Sequence, residues 1–133
     1  MCTRSQIAIA VISKEKAIFD QVKQNFMQSE FYKSNTDTAE KLLNLFQEKQ
    51  KNSYHLIVIY EDSIKWYGDI DLAWDIFSEI CSSFNLQWSF MRIGEDDYDD
   101  IEEENNYYRF DDHSDLLLPY EVFSFIRYIR SFV

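Results

Sequence analysis

Apolar residues fall in short blocks along the chain, and the period inside each block assigns an element. Ile7-Ala8-Ile9-Ala10-Val11-Ile12 is continuously apolar, the pattern of a strand covered on both faces. Ser13 stands where a cap is expected, ahead of a helix opening at Lys14 in which Phe19, Val22 and Phe26 recur at helical spacing beside Ile18. After a polar break at residues 34–36, Asp37 and Glu40 have the spacing of a capping box. The helix they open carries Ala39, Leu42, Leu43 and Phe46 as an i, i+3, i+4, i+7 stripe. It is expected to fade in the polar run Gln47–Ser53.

His55–Tyr60 predicts a second buried strand. Glu61-Asp62-Ser63 then reads as a turn, with Ile64–Tyr67 returning as the other arm of a hairpin. Gly68 and Asp69 introduce the clearest helix, with Ala73, Ile76, Phe77, Ile80 and Phe84 facing inward and Asp71, Asp75 and Glu79 on the opposite side. Gln87–Ile93 alternates as a half-buried strand, closed by Gly94. Pro119 is placed to start a last helix with Val122, Phe125, Ile126, Ile129 and Val133 inward. The order β-α-α-β-β-α-β, an acidic segment, then α predicts an α+β fold. The sheet would be mixed or antiparallel, of about four to five strands packed with helices, on a plan related to the ferredoxin-like split βαβ. No internal repeat and no Pro-, Gly- or Ser-rich linker divides the chain, so residues 1–133 are expected to form a single domain.

Charge changes this picture most. The 133 residues carry 24 acids and 13 bases, a formal net charge of −11. Residues 95–115 hold 11 of those acids against one base, Arg109, for a net −10; the remaining 13 acids and 12 bases leave −1. Nearly the whole excess therefore sits in one internal segment. Blocks of like charge are often no more than solvated loops. This one is interleaved with Tyr98, Ile101, Tyr107, Tyr108 and Phe110. Tyrosines supply contact area at low entropic cost and are enriched at interface hot spots, so aromatics among carboxylates point to a surface for a basic protein. The expected partner-binding residues are Asp96, Asp97, Tyr98, Asp99, Asp100, Glu102, Glu103, Tyr107 and Tyr108, with Asp71 and Asp75 as a secondary patch. The same sign excludes direct contact with nucleic-acid phosphates or an anionic membrane, both of which need clustered Lys or Arg.

In these respects the chain resembles the small acidic immunity proteins of bacterial toxin systems, including contact-dependent inhibition. The stretch Gly94-Glu95-Asp96-Asp97-Tyr98-Asp99-Asp100-Ile101-Glu102-Glu103-Glu104 and the Asp71/Asp75/Glu79 face carry the likeness. It is one of composition, with no family motif, and so assigns no role to an individual residue. The resemblance implies a non-enzymatic inhibitor that occludes a basic, nucleic-acid-active toxin domain. Phage-encoded inhibitors of defence systems, which imitate a nucleic acid, share this type.

Other chemistry finds little support. The acidic run lacks the Gly and terminal Glu of an EF-hand loop, and Gly68 and Gly94 stand alone, so no phosphate-binding glycine turn exists. No metal and no cofactor is expected. His113, set among Asp111, Asp112 and Asp115, is the general base that a small metal-dependent hydrolase would use; an exposed loop histidine is the simpler reading, as it is for His55. Glu61-x-x-x-Lys65 is only a fragment of a nuclease pattern. Cys2 and Cys81 are too few for a disulfide framework. With no signal-like leader and no apolar run long enough to span a bilayer, the expected location is cytoplasmic. Trp66 and Trp88 read as packing residues. Trp74 lies on the flank towards Asp71 and Asp75, where exposure would make it an anchor and burial would widen the apolar face. Oligomeric state has no sequence signature.

Overall fold

The computed structural model describes residues 4–51, 54–66, 68–94 and 101–106. Its elements are β1 (Ser5–Ser13), α1 (Lys16–Met27), α2 (Glu30–Ser34), α3 (Thr36–Leu45), β2 (Gln47–Lys51), β3 (Tyr54–Ile64), α4 (Asp69–Ser83), β4 (Gln87–Gly94) and β5 (Ile101–Asn105). The fold is α+β. The described strands form one antiparallel sheet in the order β2-β3-β1-β4-β5. β3 is antiparallel to both β1 and β2, so β1 and β2 run the same way with β3 between them; β3 and β4 likewise flank β1. These are two interlocked split βαβ units, the ferredoxin-like plan, extended by β5 beyond β4.

The helices cover one sheet face. Phe19, Val22 and Phe26 of α1, Ala39 and Leu42 of α3, and Ala73, Trp74 and Phe77 of α4 pack with Ile7, Ile9, Val11, Ile57, Ile59, Trp88 and Phe90 in one core cluster. On the other face Ala8, Ala10, Ile12, Leu56, Val58, Met91 and Ile93 form a second cluster, none more than 7% exposed. Two-sided burial is what the unbroken apolar run of β1 requires. β4 is buried on both faces as well, with only Arg92 intermediate. The half-buried alternation expected there is thus corrected, because Ser89 and Met91 join Trp88 and Phe90 inside.

Two boundaries in the middle of the chain also differ from expectation. The triplet Glu61-Asp62-Ser63 is no turn, since β3 runs straight through it. The register steps from Ile7↔Glu61 to Ser5↔Ile64, two residues on β1 against three on β3, so the polar triplet absorbs a β-bulge. Arg4 fastens it, with Nε donating to Ser63 Oγ at 2.8 Å. The hairpin lies earlier, pairing Lys51 with Tyr54, and its first arm is the polar run Gln47–Lys51. β2 has no apolar alternation to reveal it. It is held by the ladder to β3 and by Glu48, whose carboxylate lies 3.5 Å from both Lys16 and Lys23 of α1.

Helix starts are also displaced. α1 begins at Lys16 after Glu15, without a side-chain cap, because Ser13 Oγ is engaged locally with the backbone of Glu15. Asn35 precedes α3, so Asp37 falls in the first turn, and Glu40 accepts from the Tyr32 hydroxyl at 2.9 Å instead of closing a capping box. The short α2 between them is capped by Ser29, whose hydroxyl accepts from the Tyr32 N–H.

α4 is rotated relative to the expected stripe. Ile70, Ala73, Trp74, Phe77, Ser78, Cys81 and Ser82 are buried, while Ile76, Ile80 and Phe84 are only partly so. The cause is Trp74. Its ring stacks on Phe90 (centroids 6.1 Å apart, 17° between planes) and meets Trp88 edge-on at 5.4 Å. Cys81 is fully buried, and burial pushes its thiol far above the ordinary range. Iodoacetamide is therefore expected to spare Cys81 in the native protein and to alkylate it after denaturation, a difference read by peptide mass spectrometry.

Candidate functional site: an acidic groove between α4 and β5

Asp71, Asp75 and Glu79 recur every four residues, so successive turns of α4 carry them along one side of the helix. β5 supplies the facing row. Its register sets Glu104 opposite Phe90 and Glu102 opposite Arg92. Residues directly opposite share a sheet face, and Phe90 belongs to the core beneath α4. Alternation thus turns Glu102 and Glu104 towards the helix and Glu103 to the other face. Between the two rows lies a groove of about 510 Å³ lined by Asp75, Ser78, Glu79, Trp88, Glu103, Glu104 and Asn105.

The floor is fixed by a buried polar clamp. Asn106, 1% exposed, accepts from the Trp88 N–H at 3.0 Å and donates to Leu86 O at 2.6 Å and to Ser82 Oγ at 3.2 Å. The Trp88 indole N–H donates to the same Ser82 hydroxyl at 3.0 Å. Asn106 therefore joins the end of β5 to the start of β4 and the last turn of α4, which holds the two acidic rows in register.

Electrostatically the rows repel. The Asp75 carboxyl is raised above its ordinary range, first by burial and then by Asp71, Glu102 and Glu79. Glu104 is raised by burial and then by Asp75, Glu102 and Asp71. Two of the neighbouring acids are tied to the protein itself. Asp71 accepts from the Trp66 indole N–H at 3.0 Å. Glu102 pairs with Arg92 at 2.7 Å, and Arg92 also donates to Ser5 Oγ at 3.2 Å.

These shifts set the pH dependence. The folded state holds the Asp75 and Glu104 protons more tightly than the unfolded chain does. Their ionisation therefore removes stability as pH rises through and beyond the carboxylate range. Glu48, held low by Lys16 and then Lys23, acts oppositely, and its contribution is lost as pH falls. Asp75→Asn with Glu104→Gln is expected to flatten the decline in thermal midpoint between about pH 4 and pH 7, as measured by scanning fluorimetry.

Of the residues expected to bind a partner, Asp71, Asp75, Glu102 and Glu103 lie among those described. The structure brings Asp71, Asp75 and Glu102 together, so the secondary patch and part of the acidic segment form one surface. Glu103 also borders the groove, although the alternation of β5 turns its side chain to the opposite face. Asp96, Asp97, Tyr98, Asp99, Asp100, Tyr107 and Tyr108, together with His113 and the helix expected from Pro119, lie outside the described residues. Trp74 is buried and is no surface anchor. Sequence reasoning missed Glu104 and the clamp at Asn106. Glu104 is two residues beyond Glu102, and that spacing becomes a signal only once the stretch is known to be a strand. Among the described residues no cluster of His, Cys, Asp and Glu is arranged to hold a metal ion, and no helix is long and apolar enough to cross a membrane.

No family model matches the chain, and neither a curated protein nor a solved structure resembles it significantly.

Proposed function

We propose that this protein is a non-enzymatic inhibitor of the immunity type, acting in the cytoplasm. On this reading it binds a basic, nucleic-acid-active toxin domain and occludes the surface that the nucleic acid would occupy. The observation that carries the reading is the groove itself, where carboxylates of α4 and β5 meet: Asp75, Glu79 and Glu104 line it, and Asp75 and Glu104 are held above their ordinary range by burial first and by neighbouring carboxylates next. Like charges held together cost stability, and such costs concentrate where function requires them. A Lys or Arg entering the groove relieves that repulsion and makes charge-assisted hydrogen bonds. The acids at residues 95–100 continue the same sign along the chain ahead of β5 and would steer a cationic partner at low salt.

The test is co-expression with basic, nucleic-acid-active toxin domains, sought first among the products of the genes adjoining this one. Restored growth and a salt-sensitive complex support the proposal, and a variant with three of Asp96, Asp97, Asp99 and Asp100 changed to Lys should lose both. Failure to form any complex would sink it. A stoichiometric micromolar site for Ca²⁺, Mg²⁺ or Mn²⁺ in calorimetry would instead favour a metal-dependent activity.

A further inference from the structure

α4 presents a second feature beside its carboxylates. Leu72 is 47% exposed, the most exposed large apolar side chain among the described residues. One turn on, Ile76 is only partly buried. Leu72, Asp75, Ile76 and Glu79 follow the i, i+3, i+4, i+7 spacing of a single helical face, so a short apolar strip runs alongside the row Asp71, Asp75 and Glu79. An isolated surface leucine signals nothing. Leu72 is bordered along its own helix by Asp69, Asp71 and Asp75, so an apolar centre stands beside charge of a single sign, as in the anatomy of an interface.

We propose that this outer face of α4 docks a cationic amphipathic helix of a partner protein. Leu72 would enter the apolar stripe of that helix while Asp75 and Glu79 pair with its Lys or Arg. Charge selects the occupant. A second copy of this chain would set the same carboxylates against each other, and an uncharged apolar segment would desolvate Asp75 while bringing no counter-charge. A helix suits the face because its own side chains return about every four residues, at the spacing of Asp71, Asp75 and Glu79 on α4. The inference rests on the proposed role of the acidic groove and names the chemistry of what approaches it.

Two synthetic peptides of equal positive charge test it. One has Leu and Lys in an amphipathic helical repeat; the other has Lys and Gly and no apolar stripe. Binding is followed by titration against ¹⁵N-labelled protein. The Leu–Lys peptide is expected to bind about three- to tenfold more tightly, the range for burying the exposed half of one leucine, with shifts concentrated on the amides of residues 69–83. Leu72→Ala, on an exposed site and so harmless to folding, should abolish that advantage and leave the Lys–Gly peptide unaffected. An unchanged Leu–Lys affinity in Leu72→Ala, or shifts elsewhere, overturns the inference. If both peptides bind equally at the groove, its role stands and the Leu72 anchor falls. If neither binds, both fall.

Discussion

Changing Asp75 and Glu104 to Lys together is expected to lower affinity for the proposed basic partner by about a hundredfold or more while raising the thermal midpoint by a few degrees. The loss follows from turning two attractive interfacial contacts into repulsive ones, since a close charge pair contributes on the order of 1.5 kcal/mol or more to binding. The gain follows from the groove itself. Asp75 is flanked at i−4 and i+4 by Asp71 and Glu79, and each like-charge pair of that kind costs about 0.2–0.5 kcal/mol. Glu104 faces Asp75 and Glu102 as well. Removing these repulsions and adding attraction to the remaining acids is worth about 1 kcal/mol after solvent screening, which is a shift of a few degrees for a domain of this size. Opposite movements of stability and affinity, measured by scanning calorimetry and by titration, are the signature of a surface kept for binding. A parallel fall in both would mean that the carboxylates serve the fold.

The largest effect on folding is expected at Trp74. Truncation to alanine should cost about 3–5 kcal/mol, the range for deleting a large buried aromatic. Trp74 is 1% exposed and packs against Phe77, Trp88 and Phe90 at once. Its indole N–H has no hydrogen-bond partner among the described residues. An unpaired buried donor is itself costly. Trp74→Phe removes that donor and keeps most of the ring, so it should cost about 1 kcal/mol or less. Urea unfolding of the two variants separates the contributions. A loss in Trp74→Phe as large as that in Trp74→Ala would show that a benzyl ring cannot take the place of the indole in this packing.

Long apolar blocks are legible in the amino-acid sequence alone. The continuous run in β1 announces two-sided burial, and the order of strands and helices leads to the split βαβ plan. What escapes is every element whose identity depends on a partner strand. β2 is Gln-Glu-Lys-Gln-Lys, and nothing in that string distinguishes a strand from a loop; its ladder with β3 decides. Ile101–Asn105 hides in the same way behind a run of glutamates, and with it the pairing of Glu102 and Glu104 with α4. Glu61-Asp62-Ser63 misleads for the complementary reason. Polar residues suit a bulge as well as a turn, and only the register of β1 tells them apart. The acidic face of α4 is legible, because four-residue spacing needs nothing outside the helix. The rotation of its buried side is not, because the ring contacts of Trp74 with β4 set it.

Both walls of the groove flank β4 in sequence: α4 leads into that strand and β5 is its hairpin neighbour, with Asn106 pinning the corner where all three meet. Among the described residues, this cleft is built from elements consecutive in the chain and joined by one buried clamp. A basic partner of the kind proposed would meet walls already held in register by that clamp. Capture should therefore proceed in one kinetic phase at a rate set by diffusion and ionic strength, with little conformational entropy left to lose on contact.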